Sequence, residues 1–437
     1  MAPRPDRWTG RRQDPRAPRP AGYGQPFLIN PCRPAPSFMD PAPATTELLA
    51  RLDRVLSEDI RPLEADLLQR GPEAVDASLM QLRRAHRAQG LWNFQLPQHL
   101  DGVGLSLSEF AHVSERLGQS PLAHAAFNCQ APDAGNMEIL ERQATSAQKE
   151  RFLLPLVRGE IRSCFAMTEP EHAGSNPVWM STSASRQGGG WLLNGHKWFV
   201  TSAHGADFAL VMAITDPDAP RHGRASQFLV PMDTPGVEHI RRIRIMGEEG
   251  SSWFSHSELR FRDVALPADA LLGPRGSGFR VAQERLGPGR IHHCMRWLGI
   301  CRRALDMMAA HGVSREVAPG RALGTRQSFQ HALAELEAAV AGARLLVLDT
   351  ARQIEQKGHV ELRSRISMIK FHTAGVLQDV VDAAIQAMGA AGVSDDHVLS
   401  WWYRHERCAR IYDGTDEVHK TVVARDLLAR HGLQVGF

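Results

Sequence analysis

The sequence predicts an α+β multidomain fold: an all-helical N-terminal domain, a central β-barrel-like domain and a C-terminal four-helix bundle. Three observations lead there. Apolar residues recur at three and four from Thr45 to about Leu156, which is the helical period. From Ser163 onward, short β-favouring runs are separated by Gly-rich or Asn-Gly turns, the signature of strands and hairpins. After Gly273 and Pro274 the helical period returns in four long segments with short breaks, as a bundle requires. The domains are placed at 40–162, 163–273 and 274–437. At 437 residues the chain exceeds one ordinary domain and can bury a large core without metals or disulfides.

Residues 1–39 hold seven Arg against two Asp, and nine Pro. That many prolines forbid an amphipathic helix, and no apolar stretch suits a secretory signal, so a disordered extension is expected. It also carries the basic charge. The whole chain has net charge +3, but 44 basic residues face 46 acidic ones beyond position 39. No basic field with interleaved aromatics is left to argue for nucleic acid, and no run of 18 apolar residues argues for integral membrane association. Six scattered cysteines without a C-x-x-C pair exclude a zinc knuckle and a disulfide framework, and point to a reducing, cytoplasmic setting.

In the N-terminal domain Leu48, Leu49, Leu52, Val55 and Leu56 start the periodic pattern, Leu79, Leu82 and His86 continue it, and Ser106 with Glu109 forms a capping box before Phe110, Val113 and Leu117. Gln95 to Leu105, with Pro and Gly, reads as a loop. The β domain comprises SCFAMT, WMSTSASR, WLLNGHKWFVTS, DFALVMAIT, SQFLVPM and SELRFRDVAL, with turns expected at Gln187–Gly190 and at Asn194-Gly195. Helices are expected at about 278–312, 326–357, 361–389 and 415–430.

The stretch ARIYDGTDEVHKTVVAR, Ala409 to Arg425, joins this architecture to chemistry. Asp413 stands before Gly414, and Thr415 is a good N-cap with Asp416 and Glu417 in the first helical turn. Val418, Val422, Val423, Leu427 and Leu428 give one apolar helical face. A carboxylate in such a turn is positioned by backbone, which suits a base that must meet one proton. Taken alone, the segment reads more readily as an ordinary turn, since Asp is common in turns on conformational grounds.

This run resembles the end of the catalytic module in acyl-CoA dehydrogenases, where a Tyr-Glu-Gly-Thr turn carries the base; here Asp replaces that Glu. The sequence is similar to the branch whose eukaryotic members carry a fused kinase-like domain, since it also has LGPGRIHHCMR at Leu286 to Arg296. Helices, β domain and helical bundle in that order is that family's architecture. The resemblance implies FAD as cofactor, an acyl-CoA substrate, electron-transfer flavoprotein as acceptor, a homodimer or homotetramer, and α,β-dehydrogenation as in fatty acid β-oxidation, with Asp413 as the base.

Site residues follow from the same resemblance. In FAMTEPEHAGSN, Phe165 to Asn176, the residues Phe165, Met167 and Thr168 match flavin contacts and Ser175 a contact to the acyl-CoA or pyrophosphate. In GHKWFVTS, Phe199 and Thr201 match an aromatic and a hydroxyl against the flavin, and strand alternation would point both the same way. Gly287 and Arg290, with Gly414, would line the substrate channel, and Gly289 leaves the family's alternative base position empty. Arg315, Gln327, Gln386 and Gly389 match residues that reach the flavin's phosphates and adenine from a neighbouring subunit, although Pro319 and Ala390 depart from the pattern. Thr415 and Glu417 match positions that touch FAD. His292 and His293 lack a second pair at helical spacing, so no metal is expected there and the pair reads as a packed or solvated helix face. Two other functions fit the same fold: a flavin-dependent acyl-CoA or nitroalkane oxidase, and a non-catalytic relative.

Overall fold

A computed structural model describes residues 40–435; the expected disordered extension, 1–39, lies outside the described residues. The N-terminal layer holds α1 (Pro43–Val55), α2 (Asp76–Ala88), α3 (Leu107–Leu117) and α4 (Asp133–Gln143), joined by shorter helical turns. The capping box forms as expected: Glu109 N–H donates to Ser106 Oγ at 3.3 Å, and Ser106 N–H to Glu109 Oε2 at 3.0 Å. Phe110, Val113 and Leu117 are buried along one face of α3, each contributing about 1.5–3 kcal/mol.

Strands β1 (Ser163–Ala166), β2 (Ser183–Gln187), β3 (Gly190–Thr201), β4 (Phe208–Ile214), β5 (Ala225–Pro231), β6 (Val237–Arg242), β7 (His256–Leu266) and β8 (Leu271–Leu272) make one sheet. Its order is β6-β7-β3-β2-β4-β5-β8, and β1 pairs in parallel with β4. Cys164, Trp191, Leu193, Val200, Val211, Phe228, Leu259 and Phe261, from five of these strands, share one buried cluster, so the sheet curls round a common interior. Leu210 and Leu229 on its other face pack with Leu140, Phe152 and Leu156 of the N-terminal layer. Gln187 pairs with Gly190 across a two-residue hairpin loop, as expected. The turn expected at Asn194-Gly195 is instead an irregularity inside the long β3, where the register against β7 shifts. Asn194 closes it by exchanging hydrogen bonds with Asp263 (3.1 and 2.8 Å), and a Cβ on Gly195 would meet Thr182 Oγ1 at 2.3 Å. Glycine there serves close approach rather than reversal.

The C-terminal part holds α5 (Gly278–Ser314), α6 (Gln327–Lys357), α7 (Arg363–Met388), α8 (Val398–Glu406) and α9 (Asp416–Arg430). Helix α7 packs against α5, α6 and α9, which makes the expected bundle; α8 was not expected. Among the described residues the apolar face read on α9 is only partly covered: Val418, Val422 and Val423 are half-buried. Leu427 and Leu428 are exposed, and the residues the helix buries are the polar Asp416 and His419. The described cysteines are unbridged, and no described helix is long and apolar enough to cross a membrane.

Candidate active site

The chain reverses between α8 and α9 through Tyr412, Asp413 and Gly414. Asp413 has φ 54° and Gly414 φ 98°, so two successive residues occupy the left-handed region that Asp tolerates and Gly favours. A Cβ on Gly414 would also meet His419 Nε2 at 2.7 Å. Thr415 N-caps α9, its Oγ1 accepting from Val418 N–H at 3.4 Å.

Three helices fix the backbone of this turn. The carbonyl of Asp413 accepts from Arg290 Nε of α5 at 3.2 Å and from His419 Nε2 of α9 at 3.0 Å. The carbonyl of Gly414 accepts from the buried Lys370 Nζ of α7 at 2.6 Å. Burial, aided by the Arg290 charge, pushes His419 down to about 4; the ring is therefore neutral near pH 7, with its proton on Nε2 where the carbonyl needs a donor.

The side chain is held separately. Asp413 Oδ2 lies 3.2 Å from His293 Nε2, with the two side chains 20% and 19% exposed. Burial alone would raise the Asp413 carboxyl, but the hydrogen bond and charge of His293, then the charges of Arg285 and Arg290, outweigh it and hold the group well below the usual carboxylate range. The base position is an anion throughout the neutral range.

Arg285 links this turn to the β domain. Its guanidinium lies over the Phe165 ring at 4.5 Å, Nε donates to Asn136 Oδ1 at 3.1 Å, and its charge acts on Asp413. Phe165 therefore shares a neighbour with Asp413. The loop that follows is pinned to β3: Thr168 Oγ1 donates to Trp198 O at 2.8 Å, and Trp198 N–H donates to Thr168 O at 3.1 Å. The Thr168 oxygen keeps its capacity to accept. Beneath, Lys197 Nζ donates to Met167 O at 2.8 Å and to Glu169 Oε1 at 2.9 Å, and Glu169 also accepts from Ser181 and Thr182 N–H. Met167 is half-buried and Ser175 is exposed on the same loop.

Phe199 and Thr201 do not share a face by simple alternation. Register shifts between Lys197 and Val200, and Phe199 sits at φ 48°. The bulge turns Phe199 outward, 45% exposed, while Thr201 is half-buried and hydrogen-bonded to His256 Nδ1 at 3.1 Å. Bulges re-aim side chains in this way.

Arg315, Gln327, Gln386 and Gly389 are exposed and far from the turn. Arg315 stands 25 residues along α5 from Arg290, roughly 37 Å at the helical rise; Gln386 stands 16 residues along α7 from Lys370, roughly 24 Å. One chain does not bring them to Asp413. Gly287 is buried and Glu417 exposed at the start of α9. His292 does pack as expected, edge-on to Phe110 at 4.7 Å, with burial pushing it down to about 3. His293 corrects that expectation, because it faces Asp413. Spacing did carry a signal for it: Arg290 and His293 are three apart on a helix and so share a face. Lys370, Arg285 and His419 were also missed. Among the described residues no group of three His, Cys, Asp or Glu is placed to hold a metal ion.

One titration follows from the surroundings of Arg285. Burial pushes the half-buried Glu138 of α4 up to about 7, with the charges of Arg142 and Arg285 pulling it back. Between about pH 4.5 and 7 the folded state thus holds a proton the unfolded state has lost, so this group's contribution to stability falls as pH rises. Glu138→Gln is expected to remove that fall, gaining up to about 3 kcal/mol over wild type above pH 7 and little at pH 5, read by urea denaturation at the two pH values.

Profiles of the N-terminal, middle and C-terminal domains of acyl-CoA dehydrogenase match residues 43–160, 164–264 and 276–428. The chain belongs to the acyl-CoA dehydrogenase family. It is 41% identical over 397 residues to acyl-CoA dehydrogenase family member 10 of Mus musculus, covering 88% of this chain and 37% of the relative. It is 37% identical over 390 residues to family member 11 of the same species, covering 87% and 50%. These relatives fit the branch read from the sequence, and the chain spans half or less of their length. "Probable acyl-CoA dehydrogenase FadE2" of Mycobacterium tuberculosis is 42% identical over 391 residues, 87% of this chain and 94% of the relative. A solved structure from Mycobacterium abscessus, provisionally named an acyl-CoA dehydrogenase, superposes with TM-score 0.85 at 38% identity, covering 90% of this chain and all of that one.

The family's cofactor is FAD, and the residues present fit it. An outward aromatic (Phe199), two hydroxyls with acceptor capacity (Thr168, Thr201) and a half-buried thioether (Met167) stand round β3, offering apolar contact to a ring face and polar groups to its rim.

Proposed function

We propose that this protein is an FAD-dependent acyl-CoA dehydrogenase in which Asp413 removes the α-proton of an acyl-CoA thioester, giving a trans-2-enoyl-CoA whose electrons pass to electron-transfer flavoprotein. The observation that carries this reading is the Asp413 turn: a partly open carboxylate, kept anionic, on backbone locked by Arg290, Lys370 and His419. When bound, FAD would supply the two-electron acceptor for the hydride leaving the β-carbon. Binding of the thioester would displace water from Asp413, and desolvation strengthens a carboxylate as a base. Donors at the thioester carbonyl, the Asp413 N–H among them, would stabilise the developing enolate.

In this reading Phe165, Met167, Thr168, Phe199, Thr201, Thr415 and Glu417 contact the flavin, and Ser175, Gly287, Arg290 and Gly414 the substrate. Arg315, Gln327, Gln386 and Gly389 serve a second subunit's flavin. The exposed Leu427, Leu428, Leu433 and Val435 on and after α9 support a homodimer or homotetramer that covers them. Unbridged cysteines support a cytoplasmic location.

The test is anaerobic mixing of the holoprotein with acyl-CoAs of graded length and branching. At least one is expected to bleach the flavin and yield the enoyl thioester, with electron-transfer flavoprotein restoring the colour faster than oxygen. Faster restoration by oxygen would make it an oxidase. A protein that takes up no FAD, or that no acyl-CoA bleaches, would be a non-catalytic relative.

A further inference from the structure

Sequence spacing assigns no task to His293, yet its ring meets the Asp413 carboxylate and is itself held on two sides. It stacks on Trp297, one turn further along α5, at 5.9 Å and 20°, and lies 5.1 Å from the Tyr412 ring. Both walls are anchored. Trp297 Nε1 donates to Glu406 Oε2 at 3.1 Å and to Tyr412 OH at 3.2 Å. Arg296 Nη2 donates to Glu406 Oε2 at 2.8 Å and to Tyr412 OH at 3.1 Å, and Nη1 reaches Glu406 Oε1. Glu406 and Trp297 are 3% and 0% exposed, and breaking one partner of a buried ion pair is costly. The walls are therefore rigid. His293 stands at the same opening as Asp413, their side chains 19% and 20% exposed.

We propose that His293 is a positioning residue for Asp413: its Nε2–H takes up Oδ2, fixes the carboxylate's orientation and leaves Oδ1 as the oxygen that meets the substrate's α-proton. This rests on the reading of Asp413 as the base. The carboxylate stands in the field of Arg285, Arg290, His292 and Arg296 on α5, His124 across from α5, Lys370 on α7, Glu406 on α8, and Tyr412.

The test uses holoenzyme in D2O with 3,3-dimethylbutyryl-CoA, which has α-hydrogens and no β-hydrogen, so that mass spectrometry reads α-proton exchange without hydride transfer. His293→Phe keeps a ring between Trp297 and Tyr412 but loses the donor. Its exchange is expected to be slower by about a hundredfold, with the acidic fall-off moved to higher pH because the carboxylate has lost a hydrogen bond to its anion, and with thioester affinity unchanged. His293→Gln, which retains a donor, is expected to recover most of that rate. Wild-type exchange with an unmoved acidic limb in His293→Phe would overturn the proposal, as would a Gln variant that folds, binds FAD and exchanges no faster than the Phe variant. Asp413→Asn separates the two claims. If it abolishes exchange while both His293 variants behave as wild type, only the role of His293 falls; if it exchanges at the wild-type rate, the base assignment itself falls.

Discussion

Asp413→Asn is expected to slow flavin bleaching by acyl-CoA by about 10²–10⁴-fold, the span of a lost general base, with FAD content close to wild type and a lower melting temperature, because the anion's favourable interactions with His293, Arg285 and Arg290 are lost. The structural part follows from where the contacts lie. Arg290, His419 and Lys370 bind the carbonyls of residues 413 and 414, not the carboxylate, so an isosteric amide leaves the turn in place. Asn can still accept from His293 through its amide oxygen but cannot take a proton from carbon. Stopped-flow absorbance reads the rate directly, and bleaching within a few-fold of wild type would remove Asp413 from the chemistry.

Lys197→Met is expected to destabilise the fold by about 3–5 kcal/mol, the range for removing one member of a buried ion pair. Lys197 is fully buried and Glu169 is 2% exposed at its side chain. Burial pulls the lysine down to about 8 even with the carboxylate beside it. For Glu169 burial raises the pKa, but the Lys197 charge and the donors of Ser181 and Thr182 more than offset that, leaving it lowered. Met leaves the carboxylate buried without its cation. Adding Glu169→Leu should recover only part of the loss, because the amides of Ser181 and Thr182 would then lack acceptors. Urea denaturation measures both effects. FAD affinity should fall alongside, since the same ammonium holds Met167 O next to Thr168.

Much of the fold was legible because helical periodicity and turn chemistry are local. The four long helices of the C-terminal part begin and end within about two residues of the positions read from periodicity and capping, and Ser106, Thr415 and Gln187–Gly190 act as their residue types dictate. Helix α8 was not legible: nine residues, HVLSWWYRHE less its first, are too few to display a period, and their aromatics read equally as strand. Two expectations failed at irregularities inside β3. Asn194-Gly195 carries the composition of a turn but bulges within a strand, and the second bulge at Phe199 breaks alternation; both depend on pairing with β7, which no short-range rule contains. The apolar face of α9 was correctly periodic, but periodicity says nothing of what covers it. At the site, backbone position could be inferred from Asp-Gly-Thr alone, whereas His293 meets Asp413 across 120 residues of chain; its spacing from Arg290 puts the two on one face, but the packing of α5 on the turn is what pairs it with the carboxylate.

The most direct measurement is a crystal structure of the holoprotein with a non-reactive acyl-CoA thioether bound. A carboxylate oxygen of Asp413 should lie about 3–3.5 Å from the substrate's α-carbon, on the side opposite the flavin ring, with Arg290 and Lys370 still on the turn's carbonyls. A thioether lodged away from this carboxylate, or a flavin whose ring does not face residue 413, would contradict the account.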